Sequence, residues 1–222
     1  MLTALRATLV TLIVTGVLYP LAVTGVAQLL FSHRANGSIV VDDKGREVGS
    51  ELLGQSFADP AYVQPRPSNS SYDATSSGGT NLGPTSKKLR EGAPDDPATK
   101  DVDESFTGAQ QLAETYRKDN GVAADVPVPA DAVSRSASGL DPDVSPDNAA
   151  LQAPRIAKAR NVALARVQAV IAEYSEGREL GIFGEPRVNV LAVNLALDQQ
   201  FGRPVHLPTA ALPESGSATI AK

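Results

Sequence analysis

The sequence contains no cysteine and only two histidines among its 222 residues. Without cysteine the chain has no disulfides, no thiolate nucleophile and no thiolate-bound metal. His33 follows an apolar run, His206 lies in a proline-bearing C-terminal stretch, and the sequence G-x-S-x-G does not occur. A Ser-His-Asp hydrolase is therefore not predicted.

Basic residues are also scarce, because 20 Lys and Arg stand against 25 Asp and Glu, which gives a net charge of -5. Proteins that bind nucleic acid need clustered Lys and Arg to neutralise phosphates, so no nucleic-acid partner is expected. The hydrophobic fraction of 42% is typical of a globular protein. Length and composition together predict one domain, or one domain with an appendage.

Two acidic strings have the spacing of calcium ligands without the rest of a calcium-binding loop. They are Asp101-x-Asp103-x-Ser105 and Asp141-x-Asp143-x-Ser145-x-Asp147. Neither string has the glycine and the bidentate glutamate that an EF-hand loop requires. We therefore predict neither a metal site nor a catalytic residue in this chain.

Residues 7–31 carry no charge and predict a transmembrane helix. At about 1.5 Å per residue, a helix of this length crosses a hydrocarbon core of roughly 30 Å. Gly16, Pro20 and Gly25 predict a kink and small faces against which another helix can pack. The alternative is a secretory signal peptide cleaved near Ala27. Lys and Arg flank both ends of the run, so the positive-inside rule does not choose an orientation.

Residues 32–222 predict one compact α+β domain. Its first part has the pattern of two short strands around a turn, at 38–41 and 46–53. Residues 54–84 are rich in Gly, Pro, Ser and Asn and predict a long loop, ordered by Phe57, Tyr62 and Tyr72. A solvated connection is expected at 85–105, a helix at 108–118 and a flexible tail at 204–222.

The stretch SASGLDPDVSP, residues 136–146, ends in the residues that start a helix. Ser145 is the expected N-cap, and Pro146 fits the first helical position. We expect the helix to be interrupted or bent near Pro154, and a second amphipathic helix to follow Asn161.

Residues 188–198 are apolar in both the helical and the strand register, and their length favours a buried helix. Asn189 and Asn194 would then need hydrogen-bond partners inside the protein.

Two glycine-bearing stretches could present backbone amides to an anion. They are Ser138-Gly139, ahead of the predicted helix, and Ser77-Gly78-Gly79-Thr80 in the long loop. Arg155 and Arg160 stand nearby, and arginine binds phosphate or a buried carboxylate equally well. Neither stretch is a G-x-x-x-x-G-K-[ST] loop, so a structural role for residues 136–146 is favoured over a nucleotide site.

Several motifs in a fixed order resemble one known family, the C subunit of the Kdp potassium-transporting ATPase. The single N-terminal span is followed by YVQPRPS at 62–68, SSGGTNLGP at 76–84, SASGLDPDVSP at 136–146, QAPRIAKAR at 152–160 and GEPRVNVL at 184–191. The chain departs from the family pattern at Ala137 and Asn161, where glycine is usual, and at Thr80, where serine is usual. Ala137 weakens a glycine-dependent phosphate cradle.

The resemblance implies membership of a bacterial inner-membrane complex. Its other members are a channel-like potassium-translocating subunit, a P-type ATPase subunit that hydrolyses ATP and a small single-span subunit. This chain would be a non-catalytic, single-pass subunit in contact with lipid. Residues 1–6 would be cytoplasmic, and the domain 32–222 would lie outside the cytoplasm over the potassium entrance.

The resemblance also implies candidate contact residues. Assembly and gating would use interface residues such as Arg66, Asn81 and Asp141. A proposed role for the family in raising ATP affinity, or the alternative of a membrane-anchored envelope enzyme or nucleotide-binding module, would use the region of Ser138 and Gly139. No cofactor is firmly implied, and ATP is the one candidate. The full set for partner or nucleotide contact is Arg66, Ser77, Gly78, Gly79, Asn81, Ser138, Gly139, Asp141, Gln152 and Arg155.

Overall fold

The N-terminal apolar run forms one long helix in the computed structural model, which describes residues 1–42, 44–95 and 105–204. The helix consists of α1 (Leu2–Ile13), a π-helical turn (Val14–Leu18) and α2 (Tyr19–Leu30). This helix is long and apolar enough to cross a membrane, and the described residues contain one such helix. None of its apolar stretch is buried inside the protein. The predicted apolar helix is confirmed, and it starts five residues earlier than expected.

The chain then enters a membrane-proximal hairpin. After the short helix α3 (Ser32–Ala35), strands β1 (Ile39–Val41) and β2 (Glu47–Ser50) pair antiparallel, with a bulge between Val40 and Val41. Asp42 organises the turn because its carboxylate accepts hydrogen bonds from the Arg46 guanidinium at 2.7 and 2.9 Å. These bonds lower the pKa of Asp42 to about 2. The predicted hairpin is confirmed, although its second strand ends at Ser50 rather than at residue 53.

The long loop at 54–84 is ordered, with a single short 3-10 turn at Ala74–Ser76. Phe57 packs on Tyr62 with ring centroids 5.5 Å apart, and the Tyr72 hydroxyl donates to the carbonyl of Arg66 at 2.6 Å. Ala61, Tyr62 and Val63 are buried. The prediction of a packed loop is confirmed.

The connection predicted at 85–105 contains a short helix, α4 (Lys87–Glu91), whose N-cap is Ser86. Ala93 and Phe106 then form an antiparallel bridge. The remainder of the predicted connection at 96–104, and all but one residue of the tail predicted at 204–222, lie outside the described residues.

The described residues in the second half of the domain contain five helices and a small sheet. Helix α5 (Ala109–Asn120) ends at Gly121 in the left-handed conformation, and α6 (Ala130–Val133) follows. The next elements are strand β3 (Asp143–Val144), helix α7 (Pro146–Arg160) and helix α8 (Leu164–Glu173). The described chain ends with strand β4 (Ser175–Glu176), strand β5 (Arg187–Asn189) and helix α9 (Val190–Phe201). The antiparallel sheet has the order β3-β5-β4. The core lies between α7, α8, α9 and β5, and the α+β class is confirmed.

Two helix predictions need correction. Helix α7 is not interrupted at Pro154, because the carbonyl that loses its donor belongs to the exposed Ala150, where water can replace the missing bond. Residues 188–198 are not one helix, since β5 occupies Arg187–Asn189. Asn189 ends the strand and caps α9 by accepting a bond from the Ala192 amide at 3.0 Å.

Among the described residues, side chains rather than a neighbouring strand satisfy the backbone of Val63 and Gln64, which end a stretch at 60–64 that we call the central segment. The Val63 amide donates to Asn194 Oδ1 at 2.8 Å, and Asn194 Nδ2 donates to the Val63 carbonyl at 2.9 Å. Gln152 does the same for Gln64, accepting at 2.8 Å and donating at 3.1 Å. Each side-chain amide thus makes the pair of bonds that a strand would provide.

We predict that Asn194→Leu lowers the free energy of unfolding by about 3 kcal/mol. Leucine is close to asparagine in size, but it leaves a buried amide and a buried carbonyl of Val63 without partners. The matched control is Gln200→Leu, an exposed position on the same helix. Chemical denaturation of the full chain in detergent, followed by circular dichroism, measures both. Equal stability of the two variants would contradict this account.

Candidate functional site

Two of the predicted contact residues, Arg66 and Asp141, meet in the folded domain. Arg66 Nη1 lies 2.7 Å from Asp141 Oδ2, and the two side chains are 24% and 28% exposed. Arg66 also reaches the hydroxyl and carbonyl oxygens of Ser134, and Asp141 Oδ1 accepts the amide of Asp143 at 3.0 Å. The pair therefore fastens the long loop to the SASGLDPDVSP stretch.

The two glycine-bearing stretches also meet, and they form what we call the loop junction, residues 68–79 against 136–141. The Gly78 amide and the Ser77 hydroxyl both donate to the Ser138 carbonyl at 2.9 Å. The Ser68 hydroxyl donates to the Gly139 carbonyl at 2.7 Å, and the Gly139 amide donates to the Ser136 carbonyl at 3.3 Å. Two of the amides that could have cradled an anion, those of Gly78 and Gly139, are thus engaged within the chain.

Glycine is required at the junction for close packing. Gly139 has a φ of +70°, and a Cβ there would lie 2.4 Å from Ser70 Oγ and 3.1 Å from the Gly78 carbonyl oxygen. A Cβ on Gly79 would lie 2.9 Å from the carbonyl oxygen of Ala137. Backbone approaches backbone here, which explains glycine at 79 and 139 without a ligand.

Gln152 and Arg155 have their partners elsewhere, around the central segment. Arg155 donates to the carbonyls of Pro60 and Tyr62, to Asn120 Oδ1 and to Gln152 Oε1. Burial lowers the pKa of the Arg155 guanidinium. The structure therefore divides the predicted set into a junction group and a core group. Asn81 belongs to neither group. It is exposed, and its φ is +55°.

Sequence reasoning missed Asp131, which organises the start of α7. Its carboxylate accepts the Ser145 amide at 2.7 Å, the Ser145 hydroxyl at 2.9 Å and Asn148 Nδ2 at 3.0 Å. Ser145 Oγ in turn accepts the Asn148 amide at 3.1 Å, so the predicted N-cap is confirmed. Asp131 stands 14 residues before Ser145, and no local pattern connects the two.

Arg160 is a core residue rather than a phosphate ligand in this structure. Its guanidinium lies 2.8 Å from Asp198 Oδ1, donates to the Ala61 carbonyl at 2.7 Å and stacks 4.9 Å from the Tyr62 ring centroid. The Arg160 side chain is 3% exposed. The Tyr62 hydroxyl also donates to Asp198 at 2.9 Å, and burial raises its pKa.

Asp143 lies close to a basic side chain. Burial raises the pKa of Asp143, while Arg187 lies 3.5 Å from that carboxylate. Within residues 1–42, 44–95 and 105–204, no group of His, Asp and Glu is placed to hold a metal ion.

The long helix carries a second candidate site at Gly16, Pro20 and Gly25. A Cβ built on Gly16 or Gly25 meets nothing within 4 Å, so both faces are open to a neighbour. The Tyr19 amide donates to the Val14 carbonyl in the π-helical turn, and Pro20 has no amide proton. The Thr15 carbonyl consequently receives no bond from Tyr19, four residues ahead, because that amide binds Val14. It receives none from Pro20, five residues ahead, because proline has no amide proton. In hydrocarbon such an acceptor needs a donor from another helix or from water.

Comparisons with known proteins agree with the order of motifs. The family model described as "KdpC: K+-transporting ATPase, c chain" matches residues 1–199. A relative from Myxococcus xanthus, named potassium-transporting ATPase KdpC subunit, is 52% identical over 220 residues, which covers 98% of this chain and 95% of the relative. A relative of the same name from Mycobacterium tuberculosis is 45% identical over 90% of this chain and 97% of the relative. Another from Caulobacter is 49% identical over 87% of this chain and 89% of the relative.

We predict that Gly139→Ala destabilises the domain by about 2 kcal/mol, because alanine is strained at a positive φ and its Cβ collides with Ser70. Gly78→Ala is the matched control, since a Cβ at Gly78 meets nothing within 4 Å. Thermal unfolding and limited proteolysis of the two full-length variants measure the difference. Equal behaviour would mean that the junction does not depend on this close approach.

Proposed function

This chain belongs to the KdpC family, the c chains of K+-transporting ATPases, and we propose that it is a non-catalytic subunit that assembles and stabilises such a complex. The observation that carries the proposal is the exposed apolar helix at 2–30. A helix of this kind needs lipid or a partner helix around it, and the open faces at Gly16 and Gly25 suit a partner. The Thr15 carbonyl favours a partner further, because lipid tails offer no hydrogen-bond donor.

The state of the polar groups in the domain supports a structural role. Arg66 and Asp141 bind each other, Arg155 binds the central segment, the Gly78 amide binds the opposite loop and the Gly139 amide binds Ser136. An anchored envelope enzyme or nucleotide-binding module, the second candidate, would have to break some of these bonds to free Ser138 or Arg155 for a ligand. The partners that the proposal names are a channel-like potassium-translocating subunit, a P-type ATPase subunit and a small single-span subunit.

We place the domain outside the cytoplasm of a bacterial inner membrane, above the potassium entrance of the channel-like subunit. The net negative charge suits a position near a cation entrance, since 25 Asp and Glu stand against 20 Lys and Arg. A negative potential near a pore raises the local concentration of cations. Gating of that entrance is the finer role consistent with it, whereas raising the ATP affinity of the ATPase subunit would have to act through other subunits.

We predict that the double variant Gly16→Leu/Gly25→Leu reduces copurification of the other subunits by about tenfold, because leucine fills the space that a partner helix needs. The matched control is Val17→Leu/Val26→Leu, which adds bulk at the neighbouring positions of the same helix. The measurement is the subunit ratio after detergent extraction and affinity purification of the full chain. An unchanged ratio in the glycine variant would overturn helix packing as the basis of assembly.

The orientation can be tested with protease added to intact spheroplasts. We expect the domain to be digested from outside, leaving the membrane-embedded helix, while a cytoplasmic marker survives until the cells are permeabilised. This result would separate the domain from cytoplasmic ATP and leave only an indirect effect on ATP affinity. Protection of the domain would overturn the placement and favour the nucleotide-binding alternative.

A further inference from the structure

Three large apolar side chains protrude from the connection between β4 and β5. Leu180, Ile182 and Phe183, which we call the apolar tip, are 88%, 73% and 63% exposed. Among the described residues after Phe31, no other large hydrophobic side chain is as exposed as these three. Exposed apolar residues that cluster in this way mark interaction surfaces more often than singly exposed ones.

The backbone holds the apolar tip in one shape. The amides and carbonyls of Glu179 and Phe183 exchange hydrogen bonds at 2.8 and 2.9 Å, and the Gly181 amide donates to the Arg178 carbonyl at 3.0 Å. Leu180 has a φ of +53°, which is uncommon for leucine. Arg178 and Glu185 form an ion pair at 2.6 Å below the tip. The three side chains are therefore presented by an organised hairpin.

The rim of the tip is acidic. Arg187 pairs with Glu176 at 2.7 Å and also lies near Glu179 and Asp143. Around the tip, the negative groups Asp143, Glu176, Glu179 and Glu185 outnumber the positive groups Arg178 and Arg187. An anionic bilayer surface repels such a rim, whereas loops that insert into membranes carry Lys and Arg. A protein surface with basic residues around an apolar pocket complements it.

The size of the tip also restricts its occupant. A stable interface between free proteins buries about 800 Å² on each partner, and three side chains supply much less than that. The tip therefore suits a partner that another contact already holds nearby, because tethering raises the effective concentration. The long helix provides that tether if the chain is a subunit of a membrane complex.

We propose that the apolar tip docks into an apolar pocket, edged by Lys or Arg, on another subunit of the potassium-transporting ATPase. The inference rests on the proposed function and adds to it a second point of attachment. The helix is the contact within the membrane, and the tip is the contact made by the domain.

Site-specific photocrosslinking tests the occupant directly. The full chain is expressed with the rest of its complex and carries p-benzoylphenylalanine in place of Phe183 or, as the control, in place of the exposed Lys118 on α5. We expect an adduct with another subunit from position 183 and none from position 118. An adduct with phospholipid, a crosslinked dimer of this chain or no adduct from position 183 would overturn the proposal.

Substitutions test the contribution of the tip to binding. We expect Ile182→Ser/Phe183→Ser to reduce retention of this chain in the purified complex by about tenfold. Leu52→Ser, which replaces an exposed apolar side chain away from the tip, should leave it unchanged. Glu179→Lys should weaken retention more at low salt than at high salt, because the rim acts through charge. Thermal unfolding of each variant checks the fold.

The outcomes separate this inference from the proposed function. If the tip variants stay in the complex while Gly16→Leu/Gly25→Leu is lost, the apolar tip is not a docking site and the subunit assignment stands. If the chain never copurifies with other subunits, the proposed function fails first. If both sets of variants lose the complex, both contacts are required.

Discussion

The fold depends on the way in which side chains of α7 and α9 satisfy the backbone of Val63 and Gln64 in the central segment. In the part of the chain that the structure describes, no strand pairs with these two residues. Asn194 and Gln152 supply the missing donors and acceptors, one from each helix. Since an unpaired buried amide or carbonyl costs about 1–3 kcal/mol, these two residues fix both helices to the same stretch of chain.

The same constraint sets what the domain offers to other molecules. Arg66 follows the central segment by two residues and pairs with Asp141, so the loop junction is positioned by the core beneath it. Arg66 and Asp141 are paired with each other, and the Gly78 and Gly139 amides are bound within the chain. The long helix and the apolar tip carry exposed apolar side chains, and clustered surfaces of this kind suit contact with another protein.

Features with a local cause could be predicted from the sequence. The apolar helix, the hairpin at Asp42, the N-cap at Ser145 and the break at Asn161 each depend on residues that are neighbours in the chain. The partners of Gln152 and Asn194 could not be predicted, because Gln64 and Val63 are 88 and 131 residues away in the chain. The glycines at the junction illustrate the difference: the sequence favoured a structural role over an anion site, but the close approach of Ala137 and Ser70 that requires glycine is visible only in the fold. The interruption predicted at Pro154 was wrong because a helix tolerates proline where the carbonyl four residues earlier is exposed to water. The sequence does not specify that Ala150 is exposed.

The position of β5 connects the two proposed attachment points. At one end of this strand the chain leads from the apolar tip, and at the other end Asn189 caps α9 and donates to the Glu51 carbonyl at 2.9 Å. The Glu51 side chain lies 3.6 Å from His33, just beyond the long helix. Asn194 then holds α9 to the central segment. The tip and the helix are thus connected through β5, the start of α9 and the contact between Glu51 and His33.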